Sequence, residues 1–315
     1  YPDPYFNLAL IYKKKNETHK AINYLNKVLQ INPEFYQAYY HRALINYNKN
    51  RVNEAKTDLL KLVDQNQLVS EASYALGIIY ANQFDYPNAT KYLTLATQHN
   101  SKNENTFYYL ASILKSTGNY KDAISSYKKA IELKPDNPTF YTELGEVYLI
   151  NGDYKDAYNA FTKALNYGIK PELYNYLGIT CFRLQDYEQA KSYYIKLLNI
   201  EPNRAMYHYN YSQCLLALKE ENKSMYEFQK AISIKPKDKR DYKDLARIFY
   251  DRRMLDYAIN TLKQAIKAYP DDEYFYLTLA RYYKEAGDIN ASNQILSELK
   301  SKIPDSKNLV ESILK

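Results

Sequence analysis

The sequence predicts an all-α protein, a linear array of antiparallel helix pairs stacked one on the next. Three observations predict it. Ala21, Ala55, Ala89, Ala123 and Ala157 stand 34 residues apart, and after one 33-residue step Ala190, Ser224, Ala258 and Ser292 continue at 34-residue intervals. Within each interval the apolar residues recur at helical rather than alternating spacing. Glycine falls where paired helices approach closely or turn, and proline at unit ends or helix starts.

Nine units follow, at about residues 2–35, 36–69, 70–103, 104–137, 138–170, 171–204, 205–238, 239–272 and 273–306. Residues 307–315 remain as a C-terminal capping helix or a tenth unit cut short, with Leu309, Val310, Ile313 and Leu314 keeping the apolar register. Each unit is numbered from its own first residue. Helix A then carries an aromatic at position 4 (Tyr5, Tyr39, Phe107, Tyr141), Leu at position 7 (Leu8, Leu76, Leu110, Leu144) and a small residue at position 8 (Ala9, Gly77, Gly145, Gly178). At about 3.6 residues per turn these share one face with position 11. Positions 17, 20, 24 and 27 form the matching stripe on helix B. Small residues at 8 and 20 let the two backbones approach. Gly118, Gly152 and Gly287 occupy position 15, between the helices, and Pro33, Pro135, Pro202, Pro236, Pro270 and Pro304 occupy position 32. Pro87 lies in the expected first turn of a helix B, where a missing N–H costs nothing.

Aligned on this register, GNYKDAISSYKKAIELKP (Gly118 to Pro135), GDYKDAYNAFTKAL (Gly152 to Leu165) and QDYEQAKSYYIKLLNIEP (Gln185 to Pro202) are variants of one motif. The pattern resembles the tetratricopeptide repeat (TPR) family over nearly the whole chain. The resemblance implies a right-handed superhelical solenoid in which helix A lines a concave groove, and a non-catalytic scaffold that binds a peptide segment or partner helix there. Each unit would cover its neighbour's apolar face, so that the ends need caps.

Composition agrees with a folded array. The hydrophobic fraction is 46%, drawn heavily from 38 Tyr, which excludes an extensively disordered chain. No run of apolar residues is long enough to cross a bilayer, so no membrane insertion is expected. Residue 1 is Tyr rather than Met, so an upstream segment is expected, and with it a targeting sequence, an anchor or a further domain. The net charge of +7 is small for 315 residues and fits a solvated surface better than a nucleic-acid footprint. Cys181 and Cys214 are too few for a disulfide framework and read as small buried apolar side chains.

Nothing points to catalysis or to a cofactor: the sequence has no phosphate loop and no paired metal-ligand motif, and His19, His41, His99 and His208 occupy unrelated register positions. The stretch MYHYNYSQC (Met206 to Cys214) looks like a ligand cluster until the register places it on one helix A, where His208 and Cys214 point in different directions. Binding is the expected activity. Positions 2, 5, 9 and 12 of helix A lie opposite the core stripe. At position 5 stand Phe6, Tyr40, Tyr74 and Tyr108 in four successive units, joined by Tyr47 at position 12. The ladder becomes polar at Asn175, Tyr209 and Gln213, then basic at Arg240, Lys243 and Arg247 and at Arg281 and Lys284. Aromatics suit a peptide groove, and the stretch from Lys235 to Arg253, with eight basic and four acidic residues, suits an acidic segment.

Some TPR domains clamp a terminal carboxylate with a Lys/Asn set. Here Arg247 and Thr278 each stand where that pattern needs Asn, so such peptides are not the expected ligand. RNA readout by helical repeats is disfavoured by Glu71, Glu143 and Glu146 on helices A. Two further expectations are an accessory region of a larger enzyme or assembly factor, and self-association through end repeats.

Overall fold

A computed structural model describes residues 1–99, 102–168 and 170–303, and every regular element among them is an α-helix. Residues 1–168 and the remainder form two compact units. The N-terminal unit contains α1 (Asp3–Lys14), α2 (Thr18–Ile31), α3 (Tyr36–Asn48), α4 (Val52–Asp64), α5 (Val69–Asn82), α6 (Tyr86–Gln98), α7 (Glu104–Ser116), α8 (Tyr120–Leu133), α9 (Pro138–Asn151) and α10 (Tyr154–Leu165). The C-terminal unit contains α11 (Pro171–Arg183), α12 (Tyr187–Ile200), α13 (Ala205–Ala217), α14 (Glu221–Ser233), α15 (Lys239–Asp251), α16 (Leu255–Ala268), α17 (Glu273–Glu285) and α18 (Ile289–Lys302). The expected capping helix at 307–315, with Pro304, lies outside the described residues.

Each odd-numbered helix packs on the even-numbered helix that follows, and within each unit on the one that precedes it. The first contact uses the small position 8. A Cβ added to Gly145 would lie 2.6 Å from a ring carbon of Phe161, and one added to Gly178 would lie 2.7 Å from a ring carbon of Tyr194. That approach buries Phe161 completely, an apolar side chain contributing about 1.5–3 kcal/mol. Where Ser replaces Ala at position 20, its hydroxyl still finds a partner: Ser224 Oγ donates to the Ser212 carbonyl and Ser292 Oγ to the Ala280 carbonyl, both at 2.8 Å. The second contact was not expected from a single apolar stripe. Position 3 (Ala38, Phe140, Leu173, Tyr207, Phe275) and position 10 (Ile45, Ile79, Val147, Cys214, Ile248) are buried as well. Helix A is therefore apolar on two sides, and its open face is correspondingly narrow.

Position 15 turns the chain between the helices of each pair. It has a left-handed backbone at Asn16, Asn50, Phe84, Gly118, Gly152, Gln185, Lys219, Arg253 and Gly287, although only three of these are glycines. The next N–H then bonds back to a carbonyl at the end of helix A, as in Arg51 to Asn46 and Asp186 to Cys181 (both 2.9 Å), satisfying a helix-end acceptor. Asp85, Asn103, Asn137, Asp186, Asp238, Asp272 and Asp288 cap the helices that follow them.

One departure from the register has a structural use. Position 7 of the second sequence unit is Arg42 instead of Leu. Its guanidinium donates two parallel bonds to Asp58, at 2.8 and 2.7 Å, and a third to Asn26 Oδ1 at 2.7 Å. Three helices are thereby joined through one partly buried ion pair.

Candidate functional site

The odd-numbered helices bring the expected groove residues together at two separate places, one in each unit. In the N-terminal unit, Tyr40, Tyr47 and Tyr74 are half-buried around an apolar slot of about 150 Å³ floored by Ala43, Leu44, Ala75 and Ile78. These are residues of α3 and α5 at neighbouring register positions, so the slot follows from stacking one helix A beside the next. The Tyr47 hydroxyl accepts from Asn82 Nδ2 at 2.5 Å, which fixes one wall. Burial pushes the Tyr74 hydroxyl up to about 12 and raises that of Tyr40 too, so both rings remain neutral donors at physiological pH. A wider recess of about 710 Å³ adjoins, where Tyr40 and Tyr74 meet Glu71, Lys102 and Thr106.

The rest of the ladder packs within its own repeat and against the next. Phe6 rests on Phe35 at 4.9 Å and on His41 at 5.5 Å. Tyr108 lies against Phe140 at 5.3 Å and Tyr127 at 6.0 Å. Beyond Tyr108 the aromatic face ends at Lys115, which bonds Glu143 at 2.5 Å and Glu146 at 3.0 Å across α7 and α9.

The C-terminal unit has a cleft of about 290 Å³. Asn175 of α11, Tyr209 and Gln213 of α13, and Arg240 and Arg247 of α15 all line it, as the register places them. Tyr209 was expected to be open; instead it is buried, its ring near Phe228 and under the Arg252 guanidinium, so that its edge alone contributes to the wall. Asn175 Oδ1 is buried and accepts no hydrogen bond among the described residues. Three expected cations stand elsewhere. Lys243 turns toward α17, over the Tyr274 ring at 4.3 Å and 4.0 Å from Asp272. Arg281 stacks on Tyr282 at 5.2 Å, and Lys284 is exposed outside the cleft. The aromatic rings of α15 and α17 offer Lys243 and Arg281 a better local contact than the open face does.

Arg183, Asn210, Asp244 and Asp251 also line the cleft and were not expected there. They hold positions 13 and 6, and position 13 returns to within about 20° of position 2 on a helical wheel, which is the signal that could have found them. Asp244 and Asp251 face Arg240 and Arg247 at 3.9 and 3.7 Å, pairs too long to be tight hydrogen bonds. Burial pushes the Asp244 carboxyl up to about 6 against the opposing pull of Arg240, Arg204 and Arg247. Arg240 donates to the Tyr207 hydroxyl at 3.2 Å.

Other polar groups have structural partners. His208 Nδ1 bonds Glu227 at 2.5 Å and Nε2 bonds the Pro202 carbonyl at 2.9 Å. Cys181 and Cys214 are free, fully buried thiols, each pushed up to about 12 by burial. Among the described residues no cluster of His, Cys, Asp or Glu could hold a metal ion, and no helix is long and apolar enough to cross a membrane.

Comparison with known proteins agrees with this architecture. Models described as tetratricopeptide repeat match residues 2–35, 36–67, 138–167, 171–204, 206–238 and 244–272, and one described as TPR repeat matches 111–152. No curated protein matches the sequence. A solved tetratricopeptide repeat protein from Parabacteroides merdae superposes with a TM-score of 0.52 at 14% identity, over 89% of this chain and 98% of that one. A MamA protein does so at 0.50 and 18%, over 57% and 94%, and MamA from Desulfovibrio magneticus at 0.50 and 17%, over 53% and 95%. At these identities the likeness is one of fold.

Proposed function

Because this chain belongs to the tetratricopeptide repeat family, we propose that it is a non-catalytic scaffold that holds an extended peptide segment or a partner helix against its odd-numbered helices. The nine units read from the sequence serve as nine repeats. The observation that carries the proposal is the slot between α3 and α5. Tyr40, Tyr47 and Tyr74 rim an apolar pit of about 150 Å³, the size of one large aliphatic or aromatic side chain. Rigid rings with hydroxyl donors around an apolar floor give contact area at low entropic cost and leave a donor for a peptide carbonyl.

Seating one such side chain is worth about 1.5–3 kcal/mol, or roughly tenfold to a hundredfold in affinity. Peptides enriched from a random display library on the full chain should therefore share one large apolar residue. Their affinity, measured by fluorescence anisotropy, should fall at least about tenfold in a variant carrying Tyr40→Ala and Tyr74→Ala. Unchanged affinity in that variant, with its helical circular dichroism intact, would sink the proposal.

A further inference from the structure

The cleft of the C-terminal unit differs from the slot in kind, and its chemistry selects a different group. Three guanidinium groups, Arg183, Arg240 and Arg247, converge on about 290 Å³ from two helices. None is held by a tight carboxylate partner among the described residues: the nearest carboxylates to Arg240 and Arg247 lie at 3.9 and 3.7 Å. By contrast Arg204, just outside, is committed to Asp241 at 2.5 Å. Solvent-exposed arginines with no tight carboxylate partner can donate in pairs to an oxyanion. Asn175 Oδ1, buried and without a donor among the described residues, offers an acceptor for a peptide N–H at the same place.

Asp244 lies among these cations, at position 6 of the helix that carries Arg240 at position 2 and Arg247 at position 9. While ionised it competes for the same guanidinium groups and repels an incoming anion. Once protonated it does neither, and its O–H becomes a donor.

Resting on the reading of this face as a peptide site, we propose that the cleft takes the side-chain carboxylate of an acidic residue in the bound segment, and that this binding is proton-linked through Asp244. The charged and titratable groups that bear on Asp244 are Arg240, Asp241, Arg247 and Asp251 on its own helix, Arg204 before α13, Arg183 on α11, and the hydroxyls of Tyr207 and Tyr209 on α13. Burial already holds the Asp244 carboxyl at about 6. An anion seated beside it favours the protonated form further, so binding takes up protons and strengthens as pH falls toward that value.

The probe is fluorescein-labelled penta-aspartate with an amidated C-terminus, titrated with the full chain by anisotropy at about pH 5.5 and about pH 7.5. If the anion favours protonation by about tenfold, affinity should be about fivefold higher at the lower pH. Asp244→Asn should bind at about pH 7.5 as tightly as the native chain does at about pH 5.5, with no pH dependence. Arg183→Gln and Arg247→Gln should each weaken binding by about tenfold. The proposal is overturned if penta-lysine binds in preference, or if a neutral pentapeptide with a free C-terminus binds as well as the acidic probe. It is also overturned if the arginine variants bind normally or if Asp244→Asn keeps the pH dependence. If the acidic probe fails while display-selected peptides still bind through Tyr40 and Tyr74, the cleft assignment alone is lost. Loss of both kinds of binding removes the groove reading itself.

Discussion

The slot of the N-terminal unit and the cleft of the C-terminal unit are built from the same register positions on the same kind of helix, yet they have opposite chemistry. Between α3 and α5 those positions carry Tyr, Leu, Ile and Ala, and the result is a small apolar pit. From α11 to α15 they carry Asn, Gln, Arg and Asp, and the result is a wider, charged cleft. The backbone scaffold is indifferent to this change, because positions 3, 4, 7, 8 and 10 maintain the packing in both units. A repeat protein can thus vary what it binds without renegotiating how it folds.

The largest expected effect tests whether the two units are also held together differently. Arg42 is bonded to Asp58 by two parallel bonds, and Asp58 is only 6% exposed. Arg42→Met leaves that carboxylate buried without a cation and should cost about 3–5 kcal/mol, read as a lower denaturant midpoint. Restoring the Leu that the register expects, together with Asp58→Leu, should recover most of the loss. Arg204→Met in the C-terminal unit should cost less, since the Asp241 carboxylate still accepts from the Lys237 backbone N–H at 2.9 Å. Equal costs would show that the capping network around Asp241 contributes nothing.

Proton linkage separates the units next. The folded pKa of Asp244, about 6, lies above that of an unfolded aspartate. Its contribution to stability is therefore complete below about pH 4 and is lost as pH rises through about 6, because the folded state must then ionise a buried carboxyl. The full difference is at most about 3 kcal/mol. Asp244→Asn should be more stable than the native chain at about pH 7.5 and equal to it near pH 4, by urea unfolding at each pH. No carboxylate lines the slot among the described residues, so the effect should be confined to unfolding of the C-terminal unit.

Glycine at position 8 gives a paired comparison. Gly145→Ala drives a Cβ to 2.6 Å from Phe161, and Gly178→Ala drives one to 2.7 Å from Tyr194. Each should destabilise by about 1–3 kcal/mol through overpacking. Tyr194 also lines the cleft whereas Phe161 lines neither site, so only Gly178→Ala should weaken the penta-aspartate probe as well. An equal binding loss in Gly145→Ala would mean that the cleft responds to stability in general, not to the ring beside it.

How much of this was legible in the sequence follows from which contacts a single repeat can report. Helix pairs, their turns and the small position 8 repeat every unit, so the fold was readable from Ala21 to Ser292. The second buried side of helix A was missed although Ile45, Ile79, Ile113, Val147 and Ile248 recur at position 10. A wheel drawn for one pair shows only the partner within that pair, while position 10 packs on the pair before it. Tyr40, Tyr47, Tyr74, Arg240 and Arg247 were placed in pockets because backbone geometry alone sets their direction. Lys243 and Arg281 were not, because long cations choose among rings and carboxylates several ångströms away, and that choice depends on neighbours such as Tyr274 and Tyr282. Arg42 was hidden for the same reason: its partner Asp58 lies on another helix.

The smallest effect bears on the turn that both units share. Position 15 is left-handed throughout, but the residues supplied differ: Gly118 and Gly152 in the N-terminal unit, against Gln185, Lys219 and Arg253 in three of the four turns of the C-terminal unit. A side chain there places its Cβ against the following carbonyl, at a cost of about 1–2 kcal/mol. Phe84 is the strongest case, with φ at 59° and the ring 78% exposed, so the strain is offset by little burial. Phe84→Gly relieves the strain but adds freedom to the unfolded chain, and the net gain should be about 1 kcal/mol. Arg253→Gly should gain a similar amount in the C-terminal unit. The two substitutions, compared by thermal unfolding, ask whether the turn is equally strained in both places. A gain in one unit and none in the other would mean that the remaining contacts of that side chain, such as Phe84 edge-on to Tyr86 at 6.4 Å, compensate for the backbone.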